Sequence, residues 1–254
     1  MVPLINALRL SPSEKEDLWN AYNISFIGEE RFLQHQAVKK FLSSISNAEG
    51  ESVICSFAHQ IPSSSVYYGK TEVDHIVKAA IESECSKENG CIQIVAQPDY
   101  QFLMELLSSV SLCFPKMKMT QIVSLQTGSE AGKLAYNVES LGAMYPLLSC
   151  TDSYRVKYYY DDIPAHINHM NVMPFFILTT DCTISLSADY TLADVSSNPK
   201  RHNLYTSIFK EMFFHTEDLI FHEYKVNIVS DSPKEIAASK KSSFAELSAS
   251  PFLL

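Results

Sequence analysis

Hydrophobic positions along the chain change period several times, and each change marks an element. Near the start, Ser11-Pro12-Ser13-Glu14 is a helix entrance: Ser11 as N-cap, Pro12 at the first helical position, Glu14 closing a capping box. Leu18, Trp19 and Tyr22 then fall at helical spacing, which predicts a short amphipathic helix ended by a loop over 23–28. A second helix is predicted over 29–45, with Leu33, Val38, Phe41, Leu42 and Ile45 as its apolar stripe. The polar, turn-rich SSISNAEG at 43–50 is the best boundary in the chain. It divides a helical segment, 1–46, from an α/β domain, 47–254.

Beyond that boundary, apolar runs of strand length alternate with helical patterns. Strands are predicted over 52–58, 91–96 and 119–125, and helices over 72–84, 99–110 and 133–148. This alternation predicts a layered unit with a largely parallel sheet. The pattern then quickens: strands over 154–160, 175–180 and 183–187 follow one another without long helices, which predicts antiparallel pairing. A helix over 203–214 and a strand over 224–229 complete the reading. The fold class is therefore α/β, a layered mixed sheet flanked by helices and preceded by a small helical segment. Apart from the Ser/Ala-rich stretch 236–250, the chain has no low-complexity segment, and it shows no internal repeat.

Composition narrows the function classes. With 46% apolar and 19% charged residues over 254 positions, the chain is able to bury a real core. No run approaches the ~20 continuous apolar residues of a membrane span, and MVPLINALRLSPSEKE lacks the basic and apolar regions of a signal peptide. A cytoplasmic protein without membrane contact is expected. The six cysteines (55, 85, 91, 113, 150 and 182) sit mostly in apolar runs with no C-x-x-C pair, so reduced thiols are expected. A net charge of −9 disfavours direct nucleic-acid contact, because phosphate binding needs a local surplus of Lys and Arg. The helices at 12–45 do not read as a DNA-binding pair either, since the second opens with Glu29-Glu30, which repels phosphate. Their stripe is a helix-packing or dimerisation surface, with Leu33, Val38, Phe41 and Leu42 as the dimerisation candidates.

Chemistry-bearing motifs are absent where geometry dictates their spacing. Neither G-x-G-x-x-G nor G-x-x-x-x-G-K-[ST] occurs among only seven glycines, nor do G-x-S-x-G or H-E-x-x-H. No catalytic residue, metal or cofactor is expected. The most suggestive polar cluster is Tyr158-Tyr159-Tyr160-Asp161-Asp162 with His166 and His169 after it. On a strand Tyr158 and Tyr160 share one face and Tyr159 takes the other. Tyr158, Tyr160, Asp161, Asp162 and His166 are accordingly candidate ligand-binding residues, although tyrosines also suit any half-buried strand and Asp-Asp-Ile-Pro any turn. His215 and His222 would align only if the helix at 203–214 ran on that far. Asp181 and Asp189 bracket a short strand as turn residues.

Two stretches carry a resemblance. PLINALRLSPSEKEDLWNAYNISFIGEERFLQHQAVKKFL, at 3–42, resembles the segment that follows the DNA-binding domain in XRE-type (Cro/repressor-like) regulators of Clostridia-like bacteria. RVKYYYDD, MPFFILTTDCTISLSADY and YTSIFKEMF are similar to the strand–turn–strand block and helix of their effector region. The resemblance implies a ligand-sensing or oligomerising effector domain whose helix-turn-helix lies outside this sequence. It implies a small-molecule effector and a homodimer, and brings no catalytic residue with it. The layout also looks like a degenerate phospholipase D-type fold, by analogy alone. That chemistry uses H-x-K-x-x-x-x-D, and none of the eight histidines has Lys two residues on. Two other readings stay open: an enzyme of unrecognised class using the 158–169 cluster, and a ligand-free structural dimerisation module.

Overall fold

The N-terminal capping box forms as its residues require. The Ser11 N–H donates to Glu14 Oε2 at 2.8 Å and the Glu14 N–H to Ser11 Oγ at 3.3 Å, opening helix α1 (Pro12–Ile27). A computed structural model describes residues 10–46, 64–128, 131–161 and 172–219 of the chain. In it α1 continues through the expected loop, because nothing in Asn23-Ile24-Ser25-Phe26 removes a backbone donor. The helix stops at Gly28, whose φ of +85° favours a residue without Cβ. Helix α2 (Glu29–Ser46) follows at once.

The α/β part is one eight-stranded mixed sheet in the order β1-β7-β6-β5-β2-β3-β4-β8. Its strands are β1 (Ser64–Tyr68), β2 (Cys91–Val95), β3 (Lys118–Leu125), β4 (Tyr154–Tyr160), β5 (Phe175–Leu178), β6 (Thr183–Leu186), β7 (Leu192–Ser196) and β8 (Glu217–Asp218). The helices are α3 (Lys70–Cys85), α4 (Gln101–Cys113), α5 (Ala131–Cys150) and α6 (Pro199–His215). This is the layered α/β class expected from the pattern. Strands β5 and β6 pair antiparallel as expected, and β7 extends the pair into a meander. Strand β4 departs from expectation: it pairs parallel to β3, with Val123 opposite Tyr158, and antiparallel only to the short β8. The reason is α5, which returns the chain to the start of the sheet before β4 begins. Strands β1, β7 and β8 were not legible, and those expected at 52–58 and 224–229 lie outside the described residues.

The register separates two unequal faces. Ile92, Ile94, Met119, Val123, Tyr154, Val156, Ile177, Ile184 and Val195 face α3, α4 and α5 and form the main core with Val77, Ile81, Leu103, Leu107, Met144 and Leu147. The other face carries a smaller cluster of Val95, Ile122, Phe176 and Leu178 beneath Phe209 of α6. Around it the face turns polar: Ser185 Oγ donates to Tyr205, Arg201 pairs with Asp194, and Lys157 lies 4.6 Å from the Phe213 ring centre and 3.6 Å from Asp218. Parallel strands need cover on both faces. Strands β2 and β3 have it, so Gln121 and Ser124 of β3 are as buried as its apolar residues.

One buried carboxylate ties the amino end of β2 to its neighbours. Glu84, at the end of α3, is wholly buried. It accepts from the backbone N–H of Cys91 (2.8 Å) and of Thr180 (3.1 Å), from the Thr180 hydroxyl (3.0 Å) and from Lys87 Nζ (2.7 Å). Lys87 also bridges to Asp181, which thus serves as the turn residue expected of it. Gly90 permits this approach, since a Cβ there would stand 2.4 Å from the Glu84 carbonyl oxygen. Cys91, Cys113, Cys150 and Cys182 are free thiols, with burial pushing those of Cys91 and Cys182 up. Replacing Glu84 by Ala strands two backbone donors and is expected to destabilise the chain by about 3 kcal/mol. Urea unfolding checks this; a loss under about 1 kcal/mol would show that water takes over the carboxylate's partners.

Candidate functional site

The carboxyl ends of β2, β3 and β4 finish along one edge, the place where open α/β sheets collect ligand-binding groups. Chain leaving β2 supplies Gln97 and Asp99, the end of β3 supplies Ser124 and Gln126, and the first turns of α5 supply Tyr136 and Asn137. Gln97 is buried at the centre. Its Oε1 accepts from the Ser124 N–H and the Tyr136 hydroxyl, both at 3.3 Å, and its Nε2 donates to Ser124 Oγ. Asn137 clamps the chain beyond β3, accepting from the Gln126 N–H and donating to its carbonyl, each at 2.9 Å.

Tyr190 closes the site from the β6–β7 turn. Its φ of +57° is unusual for a non-glycine residue, and its ring stacks against two others. Tyr100 lies 4.2 Å away at 10° and Phe175 5.3 Å away at 17°. The Tyr190 hydroxyl accepts from the Gln97 N–H at 3.1 Å and donates to Asp99 Oδ1 at 3.4 Å. Tyr100 in turn donates to Asp74 at 2.6 Å. Asp189 holds the turn from below, accepting from Ser187 Oγ (2.7 Å) and the Thr191 N–H (3.2 Å), the turn role expected of it.

Electrostatics here favour neutral donors. Burial, followed by the Asp99 charge, holds the Tyr190 and Tyr136 phenols above their ordinary value, and burial then Asp74 does so for Tyr100. Asp99 retains solvent access, yet the surrounding protein raises its carboxyl, against the hydrogen bond from Tyr190, which lowers it. The result is an array of phenols, amides and one carboxyl around stacked rings. All of these groups except Asp99, Gln126 and Tyr136 are buried, and each already engages another group of the chain.

The structure divides the candidates read from the sequence. Tyr158 and Tyr160 do share a face, with rings edge to face at 5.6 Å, but they turn toward the β8 edge. There the Tyr158 hydroxyl donates to Glu217 at 2.8 Å, and burial, then Glu217, raises its phenol. Tyr159, on the opposite face, is the neighbour of Ser124 and so of the Gln97 network. Asp161 follows β4 with its N–H on the Leu125 carbonyl at 3.0 Å. Asp162, His166 and His169 lie outside the described residues. Helix α6 ends at His215, capped by Thr216 before β8, so it does not carry His215 into line with position 222, which also lies outside them. Gln97, Tyr136 and Tyr190 had no signal in the sequence: they stand in three separate segments and meet only at the sheet edge.

A groove of about 620 Å³ lies beside this network, between α2 and α5. Leu33, Ala37, Gly132, Ala135 and Tyr136 line it, with Gln36, Lys39, Lys40, Ser43 and Glu139 among its polar groups. Tyr136 therefore belongs to both groove and network. Of the dimerisation candidates, Leu33, Val38 and Leu42 are exposed. Phe41 instead packs within the chain, edge to face with Tyr145 at 6.0 Å and against Gly142. Gly142 is four residues before Pro146, whose missing N–H leaves the Gly142 carbonyl without its helical donor.

Carbon-detected NMR titration is expected to place Asp99 above its ordinary 3.8. Tyr190→Phe removes the bond that lowers it and should move the midpoint higher still. A midpoint that stays put or falls in the variant would show that the phenol does not hold this carboxylate.

No protein-family model matches the chain, and no curated protein matches it. Among solved structures it is similar to TrmBL2, described as an archaeal chromatin protein with a novel mode of DNA binding. The TM-score is 0.41 at 9% identity, over 83% of this chain and 72% of that one. Similarity at this level bears on neither family nor function. Among the described residues, no helix is long and apolar enough to cross a membrane.

Proposed function

We propose that the chain is the effector domain of a bacterial transcription regulator, sensing a small polar molecule at the carboxyl edge of β2, β3 and β4. The α1–α2 arm is its output. The observation that carries this reading is the double position of Tyr136, which hydrogen-bonds Gln97 at 3.3 Å and lines the groove beneath α2. A molecule that engages the Gln97 amide or displaces the Tyr136 hydroxyl changes the support under α2. Such a molecule shifts the arm only to the extent that it binds the two arrangements differently. In this reading the chain binds its ligand without transforming it, and DNA contact belongs to an attached helix-turn-helix, as in the regulators that residues 3–42 resemble. A dimer of effector domains and a cytoplasmic location complete the proposal.

Amide hydrogen exchange tests the coupling. Tyr136→Phe is expected to speed exchange across α2 by about tenfold, the equivalent of one lost hydrogen bond, while β2 and β3 stay protected. Exchange in α2 that does not change would sink the link between network and arm. Thermal-shift measurements against uncharged polyols, amino acids and nucleosides at millimolar concentration test the sensing itself. A stabilising compound whose effect is abolished by Gln97→Leu supports the site; one indifferent to Gln97, Tyr136 and Asp99 places binding elsewhere.

A further inference from the structure

No residue of α1 is buried, although this helix carries the only tryptophan of the chain. Trp19, Tyr22 and Phe26 are all exposed, Phe26 to 76%. Lys15, Trp19, Tyr22 and Phe26 recur at intervals of four, three and four residues, which sets them within roughly 60° of arc on one helix face. The rings touch in succession: Trp19 and Tyr22 have centroids 6.0 Å apart, and Tyr22 and Phe26 stack at 6.1 Å. A contiguous aromatic strip on the surface marks an interaction site. A helix of this length is also marginal when it has nothing to pack against.

The charges at the ends of the strip indicate what covers it. The strip begins at the basic Lys15 and runs out, past Gly28, at the acidic Glu29-Glu30. Tyr22 stands near the middle of the strip, seven residues from Lys15, and Glu29 opens α2 just beyond the carboxyl end of α1. A two-fold axis through Tyr22, with the helices antiparallel, therefore lays aromatic side chains on aromatic side chains. It also brings Lys15 of each copy to the Glu29 end of the other. A surface that complements itself in both shape class and charge is what an isologous interface requires. Glu14, Glu16 and Asp17 lie about a quarter turn or more from the strip's centre line, and Glu14 is already engaged with Ser11. We infer that α1 is a homotypic docking surface, through which two copies of this chain pair antiparallel along Lys15, Trp19, Tyr22 and Phe26. The inference does not depend on a ligand. It also moves the expected dimer contact from α2, where Phe41 is occupied by α5, to α1.

Because Trp19 is the sole tryptophan and sits in the strip, its emission reports the contact directly. Light scattering on the full chain across the micromolar range is expected to show the mass doubling, with Trp19 emission moving to shorter wavelength over the same concentrations. The double substitution Tyr22→Ser, Phe26→Ser should abolish both changes without altering the circular dichroism, since both side chains are exposed. Lys15→Glu should weaken association by about tenfold, and adding Glu29→Lys and Glu30→Lys should restore it. This charge exchange keeps the inference testable even if loss of the aromatics unravels α1. A monomer mass with emission independent of concentration overturns it. So does a dimer indifferent to both the aromatic and the charge substitutions, which would point to the exposed Leu33, Val38 and Leu42 of α2 instead.

Discussion

Two parallel strands cannot be joined by a hairpin; the chain must travel back along the sheet before it can start the second one. In β2, β3 and β4 that constraint is met twice, by α4 and α5, and both crossovers lie on the same face. Everything distinctive about the molecule follows. All three strands end along one edge, so the residues leaving them are collected there. Helix α5, starting from that edge, presents Tyr136 and Asn137 to it in its first turns and leaves its outer side to α2. The other face, with only α6 upon it, needs a smaller apolar cluster and tolerates the polar pairs of Asp194 with Arg201 and Asp218 with Lys157.

The two ends of β2 handle buried polarity in different ways. At the amino end the Glu84 carboxylate is surrounded by four donors, two of them backbone, and its role is to hold α3, β2 and the β5–β6 turn together. A charge that is desolvated and fully paired contributes rigidity more than chemistry. At the carboxyl end the groups are mostly amides and phenols with the Asp99 carboxyl among them, and Tyr190 adopts a sparsely populated backbone conformation. Hydrogen bonds between neutral groups exchange partners at lower cost than an ion pair does. The contrast separates an ion-paired end of β2 from an end built of amides and phenols, next to the helical arm.

Much of the architecture was legible from period alone. Alternating apolar runs and helical patterns between 91 and 148 locate β2, α4, β3 and α5, because strands covered on both faces and the helices that cover them are made of long apolar segments. The capping box at Ser11–Glu14 marks the start of α1 to the residue. Legibility fails where tertiary contacts replace local pattern. In β7 only Ala193 and Val195 face the main core, too short an alternation to read alone, and Asp194 on the other face pairs with Arg201 of α6. Strand β8 is two residues long and exists through its pairing with Lys157 and Tyr158. The quick succession of strands after 154 suggested antiparallel neighbours for β4, whereas α5 had already delivered it parallel to β3.

The same division holds for the candidate site. Alternation along a strand separates Tyr158 and Tyr160 from Tyr159, and the sequence by itself determined that much. Which of the two faces meets the polar network was decided by the order of the strands: Tyr159 falls beside Ser124, while Tyr158 falls beside Glu217. Gln97, Tyr136 and Tyr190 carry no mutual spacing, since their proximity is created by two crossovers and a turn between them. Local sequence thus determined most of the longer elements, the cap of α1 and the apolar sides of the central strands. The tertiary structure alone decided which polar side chains meet, because hydrogen bonds between distant segments depend on strand order, and strand order leaves no periodic trace in the chain.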